Sequence, residues 1–171
     1  MPRYHSPKDY LDAANSPETP SAELRELAKV PYDFVVTAVA RNPNTEPDIL
    51  ASLVPTHIET WNEQERAAAV AQHFNTPVET LNLLAKALEP LLDNGRGHQM
   101  GFQAGMLLCC NPKTPIETIS ALLQPGCVSM QFRKVVAREA RRRDVLRILL
   151  SDPSETVRKR AQKSIEMLAQ P

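Results

Sequence analysis

The sequence predicts an all-α fold, a solenoid of about five irregular two-helix units. Three observations predict it. A helix-start phrase recurs as NPNTEPDI from Asn42, HFNTPVET from His73 and NPKTPIET from Asn111. Apolar residues follow each phrase at helical spacing, and a second apolar segment precedes the next phrase. Fifteen prolines stand against five glycines, a balance that suits short helices with proline near their starts better than a turn-rich β protein. At 171 residues one domain buries about two thirds of its unfolded surface, enough to fold without disulfide or metal.

In chain order, Thr19-Pro20 opens the first helix, with Leu24, Leu27 and Ala28 on its inner stripe, and VVTAVA at 35–40 forms the second. Thr45 precedes Leu50, Leu53 and Val54, and RAAAVA at 66–71 follows. Thr76-Pro77-Val78-Glu79 and Thr114-Pro115-Ile116-Glu117 read as threonine N-caps with a glutamate reaching back. Their inner stripes are Leu81, Leu84, Ala85 and Ile119, Leu122, Leu123, with second segments at 104–109 and 132–137. The fifth copy has Arg142 in the threonine's place, then Leu146, Leu149 and Leu150. A helix from about Ser154 to Leu168 closes the stack, buried along Val157, Ala161, Ile165 and Leu168. The units are 14–40, 41–71, 72–109, 110–137 and 138–171, with cap positions 26, 31, 38 and 28 residues apart. The longer spacings place insertions at 54–62 and 89–99.

The runs DFVVTAVARNPNTEPDILASLV and FRKVVAREARRRDVLRILLSDPSETVRKRAQ resemble the leucine-rich repeat variant family, a HEAT-like group, over about residues 14 to 165. The resemblance implies a right-handed superhelix in which the second helix of each unit is short and often 3₁₀, with full α-helices, as in HEAT-like repeats, the alternative for the second segments here. Arg133 and Arg158 match the arginine of the family pattern, while Val36 and Ala67 stand in its place elsewhere. A founding member carries an iron–sulfur cluster on a separate cysteine-rich segment. The three cysteines here form no such segment.

Candidate chemistry is sparse. Cys109, Cys110 and Cys127 include no CxxC, and Cys109 fills an alanine slot of an apolar helix, so core packing is favoured over metal. Histidines 5, 57, 73 and 98 share no ligand spacing; His73 reads as a solvated or locally bonded residue. GRGHQMGFQAG at 95–105 lacks the ending of a P-loop, so Asn94-Gly95 reads as a turn, with Gly101 and Gly105 packing closely one helical turn apart. Trp61 on the first insertion is a lid over the core or a contact residue. No nucleophile, acid–base pair or cofactor motif stands out, and no enzymatic activity, cofactor or metal is expected. An enzymatic reading would need a carboxylate in a pocket beside Trp61 or the basic face.

Charge is the informative signal. Residues 1–130 hold 9 basic and 15 acidic residues, and residues 131–171 hold 11 basic and 5 acidic. RKVVAREARRR lacks the usual threonine and proline, so one unbroken helix is expected there, placing Lys134, Arg138, Arg141 and Arg142 on one face. Arg133, Arg158, Lys159 and Lys163 complete a candidate anion- or partner-binding set. A solvated terminal cap, with Glu139 pairing with Arg143, is the plainer account. The expected function is a non-catalytic scaffold for a protein partner. The alternative is binding of a nucleic-acid backbone without sequence preference. No apolar run suits a membrane helix, and a reducing cytoplasm is the expected location.

Overall fold

The structure, a computed structural model, describes residues 4–93 and 101–169. Eleven helices are seen among them: α1 (Pro7–Asn15), α2 (Ser21–Leu27), α3 (Asp33–Arg41), α4 (Pro47–Ser52), α5 (Trp61–Gln72), α6 (Val78–Leu92), α7 (Phe102–Cys110), α8 (Ile116–Leu122), α9 (Met130–Glu139), α10 (Arg143–Leu149) and α11 (Glu155–Met167). Odd-numbered helices pack in sequence, α1 on α3, α3 on α5 and onward to α11. The even-numbered helices lie along them, with α8 packed between α6 and α10. The fold is all-α, a repeating stack of helices. One contiguous core runs through it from Ala14 to Ala161, and the expected stripes supply it: Leu24, Leu50, Leu81, Leu84, Ile119 and Leu146 are all fully buried.

The links between odd and even helices hold the stack in register. Ser16, Asn42, His73 and Asn111 occupy the same place, the residue after helices α1, α3, α5 and α7. Asn42 donates its amide to the carbonyls of Ala14 and Ser16, both at 2.8 Å. A ring nitrogen of His73 lies 2.9 Å from the Asn42 carbonyl, and Asn111 donates to Ala71 (2.8 Å) and His73 (3.4 Å). Each link thus ties its side chain to backbone carbonyls at the preceding helix end, and those of Ser16, Asn42 and His73 accept a backbone N–H as well.

Three local expectations are corrected. The threonines do not cap the helices that follow them. Pro20, Glu46, Pro77 and Pro115 occupy the N-cap positions without side-chain capping bonds, so Glu79 and Glu117 complete no capping box. Instead Thr19, Thr45, Thr76 and Thr114 donate backwards to the carbonyls of Ala13, Val39, Val70 and Leu108 at 2.6–2.7 Å. All four threonines are buried, so pairing a water-excluded carbonyl outweighs capping N–H groups that face solvent.

The second helices are α-helices of 9 to 13 residues, with no 3₁₀ helix among the described residues. RKVVAREARRR is not one helix: α9 stops at Glu139, and Ala140 (φ −62°, ψ 134°) and Arg142 (φ −85°, ψ 115°) are extended before α10 begins. Arg142 donates to the carbonyls of Asn111 (2.7 Å) and Thr114 (2.9 Å), much as Asn44 reaches Pro17 and Thr19 at an earlier link. Those cross-unit bonds hold the break without proline or threonine.

The true capping boxes lie elsewhere. Ser6 and Asp9 start α1, a helix ahead of the first expected unit, and Thr60 with Glu63 starts α5. Of the insertions, 54–62 tucks Ile58 into the core, while Glu89 to Leu92 continue α6 through Pro90. The Asn94-Gly95 turn lies outside the described residues. Gly101 is the N-cap of α7 at φ +79°, and Gly105, four residues on, meets the ring of Phe132.

Candidate interaction surfaces

The basic C-terminal residues divide by environment. Arg133 does not join a solvent face: it is 5% exposed, and its Nε donates to Asp152 at 2.6 Å while Nη1 donates to the Val128 carbonyl at 2.7 Å. Arg142 is spent on the link described above and on Asp144, whose carboxyl its hydrogen bonds hold below the ordinary range. Arg158 donates to the carbonyls of Asp152 and Pro153. Arg138 pairs with Glu139 and Lys159 with Glu155. The expected Glu139–Arg143 pair does not form, since the helix breaks between them; Arg143 donates to the Leu168 carbonyl.

What remains is a smaller set. Lys134, Arg141, Arg147, Arg160 and Lys163 make no ion pair with a described residue, and all but Lys134 are exposed. They sit on α9, the α9–α10 link, α10 and α11. Where α10 ends against α11, Leu150, Arg158, Lys159, Gln162, Lys163 and Glu166 line an open groove of about 540 Å³.

A second feature is the exposed aromatic edge at the starts of α3 and α5. Asn62 donates to Asp33 at 3.2 Å, so the two helix starts adjoin. Phe34 (48% exposed) and Trp61 (66%) are each one residue from that pair, and helical spacing turns both to the same side. Trp61 is therefore not a lid over the core. Phe34 stacks on Tyr32, which continues to Tyr10 and Tyr4 with ring centroids 4.9–5.9 Å apart.

The third is a series of grooves along the even-numbered helices. One of about 660 Å³ carries the carboxylates Asp33, Glu59 and Glu63 close to the start of α5. Glu63 accepts from the backbone N–H groups of Glu59 and Thr60, both at 2.8 Å, which hold its pKa below the ordinary value. Asp33 faces Arg66 and Asn62. Asp33 and Glu63 thus both take part in holding the local structure. A groove of about 590 Å³ separates α4 from α6, and another of similar volume separates α6 from α8.

No family model, curated protein or solved structure matches this chain. Its surfaces must be read from their own chemistry.

Cys109 is fully buried, and burial raises its thiol pKa far above the usual range; burial raises that of Cys110 as well. Thiolate chemistry is disfavoured at both. Among the described residues no group of three His, Cys, Asp or Glu is placed to hold a metal, and no helix is long and apolar enough to cross a membrane. His73 is the residue whose role the sequence hid. It is 7% exposed, its Nδ1 accepts the Asn75 N–H at 3.0 Å, and burial lowers its pKa against the opposing Asn42 hydrogen bond. The signal was positional: His73 stands where two other links have asparagine.

Proposed function

We propose that the protein is a non-catalytic, cytoplasmic repeat scaffold that binds a protein partner, with an acidic segment of that partner lying across the last two units. The observation that carries this reading is the set Arg141, Arg147, Arg160 and Lys163: exposed, on adjoining elements, and without carboxylate partners among the described residues. A terminal repeat needs a polar outer face. Balanced charge would serve that need without the self-repulsion of 11 basic residues against 5 acidic.

A protein fits this surface better than a nucleic-acid backbone does. Residues 133–171 contain no aromatic side chain on which a base can stack. In the same reading the chain is a divergent member of the leucine-rich repeat variant family, right-handed, with five two-helix units. The equivalent placement of Asn42-Pro43 with Thr45 and Asn111-Pro112 with Thr114 supports it.

The test is fluorescence anisotropy at about 50 and 200 mM salt, with a labelled acidic peptide, duplex DNA and single-stranded RNA. The peptide should bind, weaken with salt, and be lost by the triple variant R141E/R147E/K163E. Salt-sensitive binding of nucleic acid alone, lost in the same variant, would replace the protein partner. Silence toward all three would leave the cations as a cap.

A further inference from the structure

The longest helix stands between two that cannot cover it. Helix α6 has 15 residues, about 22 Å, whereas α4 has 6 and α8 has 7, about 10 Å each. The uncovered length leaves the two grooves of about 590 Å³, one on each flank. Leu83 lines the groove toward α4, Asn82 the groove toward α8, and Lys86 lines both, which puts Lys86 on the crest of the helix.

The crest has a self-matching pattern. Glu79 is seven residues from Lys86, two turns along the same stripe, with Leu83 between them. Leu83 is 59% exposed and Val78 39%. Glu79 and Lys86 are exposed, and neither makes an ion pair with a described residue. A second α6 laid antiparallel about a two-fold axis between Asn82 and Leu83 sets Glu79 against the partner's Lys86 and Lys86 against the partner's Glu79. The same register sets Leu83 beside the partner's Leu83 across the axis and covers it.

We propose that α6 is the interface of a symmetric homodimer, its occupant a second copy of this chain. Reciprocity argues for a copy over another protein, because one stripe carries both halves of each ion pair in the order that a two-fold axis requires. The exposed leucine and the flanking grooves supply apolar area and room for the partner's crest. The contact is small, so the dimer is weak and salt-sensitive.

Sedimentation velocity tests the proposal. The wild-type chain of 19.1 kDa should reach twice that mass at concentrations up to about 200 μM. E79K and K86E should each remain monomeric, with association weakened about tenfold or more. Mixed one to one, they should restore a dimer, because every opposed pair is then of opposite sign; the double variant E79K/K86E should pair with itself. Both positions are exposed, so unchanged helical circular dichroism verifies folding. A wild type that stays at 19.1 kDa, or a dimer that survives either single reversal, overturns the proposal.

Discussion

Arg133 and Asp152 form a salt bridge of 2.6 Å between side chains that are only 7% and 2% exposed. The pair ties the first turn of α9 to the link before α11, and Asp152 also accepts the Ser154 N–H at 2.8 Å. Replacing one partner leaves the other charge buried and unpaired. Arg133→Met should cost about 3–5 kcal/mol in urea denaturation, while R133M/D152L should recover part of that loss. A single-variant loss below about 1 kcal/mol would show that the pair is effectively solvated.

His73 should make stability depend on pH. Its neutral ring pairs with both the Asn42 carbonyl and the Asn75 N–H, and a second ring proton would point at the latter. Burial, aided by Lys113, lowers its folded-state pKa below the ordinary histidine value, so the unfolded chain binds the proton more readily. The contribution is present above about pH 6.5 and is lost as pH falls through the folded value. Denaturation midpoints at pH 8, 7, 6 and 5 should show it. His73→Asn, which keeps an amide in the ladder, should flatten that part of the profile.

Thr114 separates two readings of its phrase. As an N-cap it would tolerate Asp, among the best capping residues. As the donor to the Leu108 carbonyl at 2.7 Å it cannot, because a carboxylate offers no proton. Thr114→Asp and Thr114→Val should both destabilise by about 1–3 kcal/mol, and Thr114→Ser should lose far less. A stable Asp variant would restore the capping interpretation.

Gly105 should resist even a methyl group. A Cβ there would lie 2.9 Å from the Phe132 ring and 3.1 Å from Leu92, and both side chains are fully buried. Gly105→Ala should cost about 1–3 kcal/mol, read as a fall in thermal midpoint. Trp61→Ala, by contrast, should change stability by no more than about 0.5 kcal/mol, so any lost binding in that variant reports a contact.

Helix placement was legible because burial follows spacing: Leu24, Leu50, Leu81, Ile119 and Leu146 fall on the core side wherever the chain turns helical. Links were less so. The TPVE and TPIE strings satisfy a local capping rule, but buried carbonyls six residues upstream claim the hydroxyls, and nothing local announces that. The break after Glu139 has neither proline nor glycine; it rests on Arg142 reaching carbonyls about thirty residues back. Arg133 looked like part of a basic face because its carboxylate partner is 19 residues downstream. The start of α1 was visible in Ser6 and Asp9, a box that uses Asp where Glu is the expected signal.

The link hydrogen bonds also share a direction. Asn42, Asn44, Asn75, Asn111 and Arg142 all supply the side chain, and each acceptor carbonyl lies in an earlier unit. During synthesis the ribosome releases the N-terminal units first, at about 5–20 residues per second. Every newly emerged link therefore meets acceptors that are already in place, and the stack can lengthen behind the ribosome without waiting for anything downstream. Two arginines run the other way: Arg143 donates to the Leu168 carbonyl, and Arg133 must wait for Asp152 before its charge is matched.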